Sequence, residues 1–225
     1  MKKSLFIVVD GIDGSGKSEI VKMLHNYLFS KSTKIKDFRD TKNSKSFLVN
    51  KEYRILATRE PTSGIFGKKI RKILRKEKTP LSNSKKLIEL FIKDRKEHLS
   101  KTIEPFLKNN NKHELNVVLC DRYYYSTIAF QGAQGLNIRE LINKNKKFRK
   151  PDIAFILDVQ PSIALERIEY RKKEKFEQLG FMKNIRKNFL NLPKLLDDNI
   201  KIIDSSKSLN DVFKNVKKEV DKVLN

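Results

Sequence analysis

The chain has 225 residues, 38% hydrophobic and 34% charged, which predicts a single globular domain over 1–225 with a sizeable core. No apolar run approaches the roughly 20 residues of a membrane helix, no cleavage site follows Met1-Lys2-Lys3, and the lone Cys120 excludes an intrachain disulfide framework or a Cys-cluster zinc site. The net charge of +23 comes from 38 Lys and 12 Arg spread over the whole chain; polyanion recognition favours the planar Arg fork, so the excess reads as composition, and a cytosolic protein with no specific nucleic-acid or membrane partner is expected.

The first element is the apolar run at 5–9, read as a buried strand, followed by a helical stretch at 17–30. Next comes "KSTKIKDFRDTKNSKSFLVNKEY" at 31–53, polar and basic, which predicts an inserted loop. A second strand at 54–57 leads into helical stretches at 65–77 and 82–108. The third strand, 116–120, ends on Cys120, read as a small core residue, and a helical stretch follows at 122–135. The fourth, within "DIAFILDV" at 153–159, is too continuous for a sheet with one wet face and so favours parallel pairing buried on both sides. Helical stretches at 161–175 and 178–192, a fifth strand at 200–203 and a helix at 208–224 complete the chain. Strand and helix in alternation predict an α/β doubly wound fold: a five-stranded parallel sheet flanked by helices.

Four motifs lie on this frame. Gly11, Gly16, Lys17 and Ser18 satisfy G-x-x-x-x-G-K-[ST] after a strand and before a helix, the context a phosphate-binding P-loop requires. Glycines let the backbone N–H groups of Gly11, Ile12, Asp13, Gly14, Ser15 and Gly16 turn toward phosphate, Lys17 reaches the β- and γ-phosphates, and Ser18 can hold Mg²⁺. The chain is therefore expected to bind a nucleoside triphosphate. "ATREPT" (57–62) ends the second strand, where ligands of a parallel sheet bind. "LFIKDRKEH" (90–98) places Phe91 and Arg95 on one helical face, four residues apart. "CDRYYYSTIAFQG" (120–132) leaves the third strand with Asp121, Arg122, an aromatic run and Ser126. Each of these three patches alone has a plain structural reading: Phe91 as core, Arg95 as a solvated charge, Asp121-Arg122 as a surface ion pair. His25, His98 and His113 lie in none of the motifs and are read as surface residues.

Together, "VDGIDGSGKS", "TREPT", "DRYYYSTIAFQG", "LDVQPSIALERI" and "IIDSSKSLNDV" resemble thymidylate kinases, P-loop enzymes that phosphorylate dTMP with ATP, over nearly the whole chain. The resemblance implies Mg²⁺ with ATP as donor, dTMP as acceptor and a homodimer. It implies that Asp13 contacts the sugar 3′-hydroxyl, Phe91 stacks on thymine, Arg95 meets its O4 edge and Gln131 reaches the base. It also implies that Phe130 crowds the 2′ carbon, Arg122 meets the acceptor phosphate beside Asp121 near the metal, and Arg59 and Glu60 lie at the acceptor end.

A basic lid at 170–178 completes the pattern. Arg167 and Arg171 are four apart on one helical face, with Lys172, Lys173 and Lys175 following. The resemblance implies that Arg167 lies over adenine and that Arg171 is a catalytic group on the phosphates. Some family members carry an arginine where Gly14 stands here, and the branch lacking it, which this sequence fits, uses basic lid residues instead; Ser63 stands where other members have an arginine reaching the acceptor phosphate. The chemistry agrees with a monophosphate acceptor: its oxygen is already anionic at neutral pH, so positioning and charge stabilisation suffice. Two alternatives stay open. A deoxynucleoside kinase would use Glu60 as a base on a 5′-hydroxyl, and a nucleic-acid-binding P-loop ATPase would account for the charge.

Overall fold

The computed structural model describes residues 4–31, 36–40, 45–49, 53–76, 83–108, 115–168 and 175–224. Chain order runs β1 (Ser4–Gly11), α1 (Lys17–Ser30), β2 (Lys36–Asp40), β3 (Lys45–Val49), β4 (Tyr53–Arg59), α2 (Ile65–Lys76) and α3 (Ser84–His98). A π-turn at Leu99–Ile103 joins α3 to α4 (Glu104–Lys108). Then follow β5 (Leu115–Asp121), α5 (Tyr124–Ala133), α6 (Ile138–Asn145), β6 (Ile153–Asp158), α7 (Pro161–Arg167), α8 (Lys175–Leu195), β7 (Ile200–Asp204) and α9 (Leu209–Leu224).

The sheet has the order β2-β3-β4-β5-β1-β6-β7. Five strands, β4, β5, β1, β6 and β7, pair in parallel, as the strand–helix alternation requires. The expectation of an inserted loop at 31–53 is corrected. Within it β2 and β3 form an antiparallel hairpin that adds to β4, with Phe47 opposite Leu56 and Leu48 opposite Ile55. The short apolar run Phe47-Leu48-Val49 is the trace of a strand inside that basic stretch.

Period-two alternation explains why the sheet is buried on both faces. On β1, Phe6 and Val8 enter the core formed with α3, α4, α5 and α8, while Leu5, Ile7 and Val9 enter the one formed with α1 and α9. All five are at most 1% exposed. The long helical stretch read at 82–108 is continuous but widens at Leu99–Ile103, just before Pro105, whose ring lacks the N–H that an α-helical bond would need. Helix α6 lies outside the expected helical stretches although Ile138, Leu141 and Ile142 stand at helical spacing in its sequence; Asn137 caps it, its side chain accepting from the N–H groups of Arg139 and Glu140. This topology brings the carboxyl ends of β1, β4 and β5 side by side, and the motifs follow those ends.

Candidate active site

The P-loop turns on glycines. Gly11, Gly14 and Gly16 have φ of 143°, 79° and 89°, values that L-residues with a Cβ rarely adopt. A Cβ on Gly14 would stand 2.3 Å from the carbonyl oxygen of Ala164 on α7. Here α7 abuts the loop, and no side chain fits at this position without moving it. Ile12 is buried, and its carbonyl accepts a hydrogen bond from Lys17 Nζ at 2.7 Å. Lys17 itself is buried, and burial, with Arg122 nearby, draws its pKa down to about 8 against the pull of Asp13, Asp121 and Asp10. Ser18 Oγ donates to Asp121 Oδ2 at 2.7 Å. The other oxygen, Asp121 Oδ1, is buried and has no hydrogen-bond partner among the described residues.

Asp121 and Arg122 do not form the surface ion pair of the plain reading. Arg122 sits at φ 70°, and its guanidinium donates to Gly11 O at 3.2 Å, Ser126 Oγ at 2.9 Å and the Asp13 carboxylate. It also lies 5.3 Å from the centroid of the Phe130 ring. Crowding raises the Asp13 carboxyl, but the charges of Arg122 and Lys17 reverse this and hold it below its ordinary value. Arg59, exposed at the end of β4, reaches within 3.9 Å of Asp121 Oδ2. Asp13, Gly14, Gly16, Lys17, Ser18, Arg59, Asp121 and Arg122 thus line one open cleft of about 250 Å³.

Behind the P-loop a second cleft of about 470 Å³ is lined by Gly14, Ser15, Gly16, Arg167, Ser205, Lys207, Ser208, Leu209 and Val212. Arg167 borders it, donating to the carbonyls of Ser205 at 2.9 Å, Ser206 at 3.3 Å and Gly14 at 3.4 Å. Helix α7 ends at Arg167, short of the predicted 175. Arg171 and the lysines at 172 and 173 lie outside the described residues, as does most of the expected lid at 170–178.

Helices α3 and α5 build a third feature. Arg95 is fully buried rather than solvated. Its Nε and Nη2 donate to Glu60 Oε2 at 2.9 and 2.7 Å, Nη2 also to Thr127 Oγ1 at 2.9 Å, and Nη1 to Asn145 Oδ1 at 2.6 Å. His98 corrects the surface reading: it is 4% exposed, with Nδ1 3.2 Å from Glu60 Oε1 and Nε2 2.8 Å from Thr58 Oγ1. Both oxygens of Glu60 are therefore engaged. Half-buried Phe91 lies one turn before Arg95 on α3, and Gln131 one turn after Thr127 on α5. Gln131 is 3% exposed; its amide nitrogen donates to Gln134 Oε1 at 3.3 Å, and its own Oε1 has no partner among the described residues.

Several residues of this site escaped the sequence reading. Asp94, beside Arg95, accepts from the N–H and hydroxyl of Thr62 at 2.8 and 2.6 Å and so holds the loop after β4. Arg71 on α2 donates to the carbonyls of Pro61 and Thr62 at 2.8 and 2.5 Å, bringing a guanidinium to the loop where Ser63 offers none. Asn145 gave no local signal, whereas Asp10 and Thr127 lay within recognised motifs. Cys120 matches its core reading: burial, then the carboxylates of Glu60, Asp121 and Asp10, push its thiol well above the ordinary range.

A family model described as thymidylate kinase matches residues 31–216. The chain is 34% identical over 223 residues to a probable thymidylate kinase of Archaeoglobus fulgidus, covering 98% of this chain and 97% of that one. It is 37% identical over 215 residues to a thymidylate kinase of Leptospira interrogans, covering 94% and 91%. The crystal structure of thymidylate kinase from Ehrlichia chaffeensis superposes with a TM-score of 0.67 at 28% identity, covering 99% of both chains. The chain belongs to the thymidylate kinase family. Its reaction is the ATP-dependent phosphorylation of dTMP, and the family works with Mg²⁺-ATP. No helix among the described residues is long and apolar enough to cross a membrane.

Proposed function

We propose that the kinase joins ATP and dTMP end to end across the two clefts, with Lys17 and Arg122 as the cations that meet the moving phosphoryl group. The observation that carries this reading is the convergence of Lys17, Ser18, Asp121 and Arg122 on one cleft at the ends of β1 and β5. A monophosphate carries a second pKa of about 6, so the acceptor oxygen is an anionic nucleophile at neutral pH and no base is required. The protein's task is alignment and charge stabilisation. On binding, Lys17 exchanges the Ile12 carbonyl for the β- and γ-oxygens. Ser18 and Asp121 would hold Mg²⁺, and the buried, unpartnered Asp121 Oδ1 fits that role. Bound there, the ion supplies neutralising charge along the triphosphate.

The remaining roles follow position. Arg167, at the cleft behind the P-loop, takes the adenine, and the basic run opened by Arg171 supplies lid charge. Phe91 stacks on thymine, while Arg95, Thr127 and Gln131 present polar atoms to its edge; the free Oε1 of Gln131 suits an N3–H donor. Asp13 takes the 3′-hydroxyl, and Phe130, beneath Arg122, crowds the 2′ carbon. Arg59 and Arg71 add charge at the acceptor end, with Glu60 acting there by holding Arg95. In this reading the kinase works as a homodimer, for which the exposed Ile65 and Leu74 on α2 offer apolar surface.

A coupled ADP-release assay across the four deoxy- and four ribonucleoside monophosphates, with thymidine alongside, tests the assignment. Expected is a clear maximum for dTMP and no turnover of thymidine. Faster turnover of thymidine than of dTMP would instead establish the deoxynucleoside kinase, against the engagement of both Glu60 oxygens. ATP hydrolysis stimulated by DNA or RNA would establish the nucleic-acid-dependent ATPase.

A further inference from the structure

One buried carboxylate at the edge of the site has no part in the scheme above. Asp10, near the end of β1, has no exposed surface, yet its oxygens accept four hydrogen bonds. Oδ1 takes the N–H of Gly11 at 2.8 Å and the hydroxyl of Ser126 at 2.6 Å. Oδ2 takes the N–H groups of Tyr123 at 3.1 Å and Ser126 at 2.9 Å. Three of these donors belong to the corner between β5 and α5, the corner that carries Arg122. Arg122 is the only non-glycine residue with positive φ among those described, and its N–H is tied to Val9 O at 3.0 Å.

The side chain of Arg122 is reached by the same carboxylate through Ser126. Ser126 Oγ accepts from Arg122 Nη1 at 2.9 Å while donating to Asp10. The direction of that hydroxyl is dictated by chemistry. Burial raises the pKa of the Asp10 carboxyl, opposed by Arg122, Ser126 and the N–H groups of Gly11 and Tyr123, and every hydrogen bond to its oxygens comes from a donor. A guanidinium has no acceptor, so the hydroxyl proton points to Asp10 and a lone pair to Arg122. Nη2 is then left for Asp13 and the cleft. Direct attraction between Arg122 Nη1 and Asp10 Oδ1, at 3.7 Å, acts in the same sense.

We propose that Asp10 and Ser126 are positioning residues for phosphoryl transfer: the carboxylate holds the left-handed backbone of Arg122 and orients the Ser126 hydroxyl, which aims the guanidinium at the acceptor phosphate. The proposal rests on the reading that Arg122 meets that phosphate. In Asp10→Asn the amide can donate to Ser126, the hydroxyl proton turns away from residue 10, and a donor then faces the donors of Arg122.

Ser126→Ala removes the relay and leaves the three backbone hydrogen bonds of Asp10 in place. It is expected to lower kcat/KM for dTMP about tenfold or more, to leave KM for ATP within about twofold, and to be rescued by Ser126→Thr, which restores a hydroxyl. A structural role alone would lower the melting temperature and disturb both substrates together. Added to Arg122→Ala, Ser126→Ala should have no further effect, because the group it orients is gone. An unchanged kcat/KM in Ser126→Ala, or an equal loss in the Arg122→Ala background, overturns the relay while leaving the role of Arg122 intact. If Arg122→Ala alone leaves kcat/KM for dTMP unchanged, the acceptor-site reading fails and the relay with it. Asp10→Asn, where it folds, is expected to reproduce Ser126→Ala in the same assays; wild-type kinetics in that variant also count against the proposal.

Discussion

Lys17 shows at the scale of one residue how burial sets a functional group against its own fold. Its pKa in the fold, about 8, lies below the ordinary 10.5. The folded chain therefore binds fewer protons than the unfolded one between these values. The cost of burying the charge is fully present below pH 8 and is relieved as pH rises toward 10.5. A bound triphosphate favours the charged form, so ATP affinity should fall as pH rises through about 8, with proton uptake on binding. Calorimetry in buffers of different ionisation enthalpy reads this directly, and a flat profile over pH 7–9.5 would contradict it. Lys17→Ala should abolish the dependence and lower kcat by at least about a hundredfold, roughly 2.7 kcal/mol. Phe130 carries a second prediction at this scale. With Arg122 over its ring, Phe130→Ala should narrow the preference for dTMP over its ribo-analogue, chiefly by improving the ribonucleotide. An unchanged ratio of specificity constants would place the discrimination elsewhere. Both residues were legible as motif positions; their surroundings were not.

Between elements, the contact that matters most for the donor is α7 against the P-loop. Backbone atoms of Ala164 stand where a Cβ on Gly14 would go, and backbone does not yield as a side-chain end does. The positive φ of Gly14 adds about 1 kcal/mol for any other residue. Gly14→Ala should therefore push α7 off the loop, lower the melting temperature and weaken ATP binding about tenfold or more, as nucleotide titration will measure. Native affinity in that variant would mean that the two elements do not abut. Arg167, which leaves α7 to bridge Gly14 and the Ser205–Ser206 turn, tests the same junction from the ligand side. If Arg167 takes the adenine as proposed, Arg167→Ala should raise the dissociation constant of ATP while single-turnover rates stay within a few-fold, because such a contact acts equally in ground and transition states. A variant slowed in chemistry but not in binding would reverse that assignment.

Across the whole molecule, Arg95 ties together α3, α5, α6 and the turn after β4. Its charge is buried completely and is balanced by Glu60, with the side chains only 1% and 3% exposed. Such a pair contributes little net stability while intact, but breaking it strands a charge in the core. Glu60→Ala should lower the unfolding free energy by about 3–5 kcal/mol, seen as a fall in the urea midpoint. A midpoint within experimental error of the parent would show that water or another anion reaches Arg95. The distinction between stability and base recognition then rests on Gln131, whose substitution by Ala should alter dTMP affinity with a smaller change in midpoint.

What the sequence determined by itself was the set of features written in short-range spacing. The P-loop needs its glycines, lysine and serine at fixed offsets between a strand and a helix, and Gly11, Gly16, Lys17 and Ser18 occur nowhere else in that pattern. The parallel strands β1, β5 and β6 declared themselves as apolar runs because both of their faces are buried. Tertiary structure decided what depends on partners distant in the chain. The 31–53 stretch reads as loop from its charge, yet β4 offers it a sheet edge, and edge strands tolerate the polar side chains that hide them from periodicity. His98 reads as surface until Glu60, 38 residues away, supplies the partner that makes its burial possible. Asp10 looks like the polar end of a strand until the fold brings Tyr123 and Ser126, more than a hundred residues on, to all its remaining lone pairs. A buried polar group is admitted only where its hydrogen-bond partners converge. That convergence belongs to the topology rather than to any local stretch of sequence.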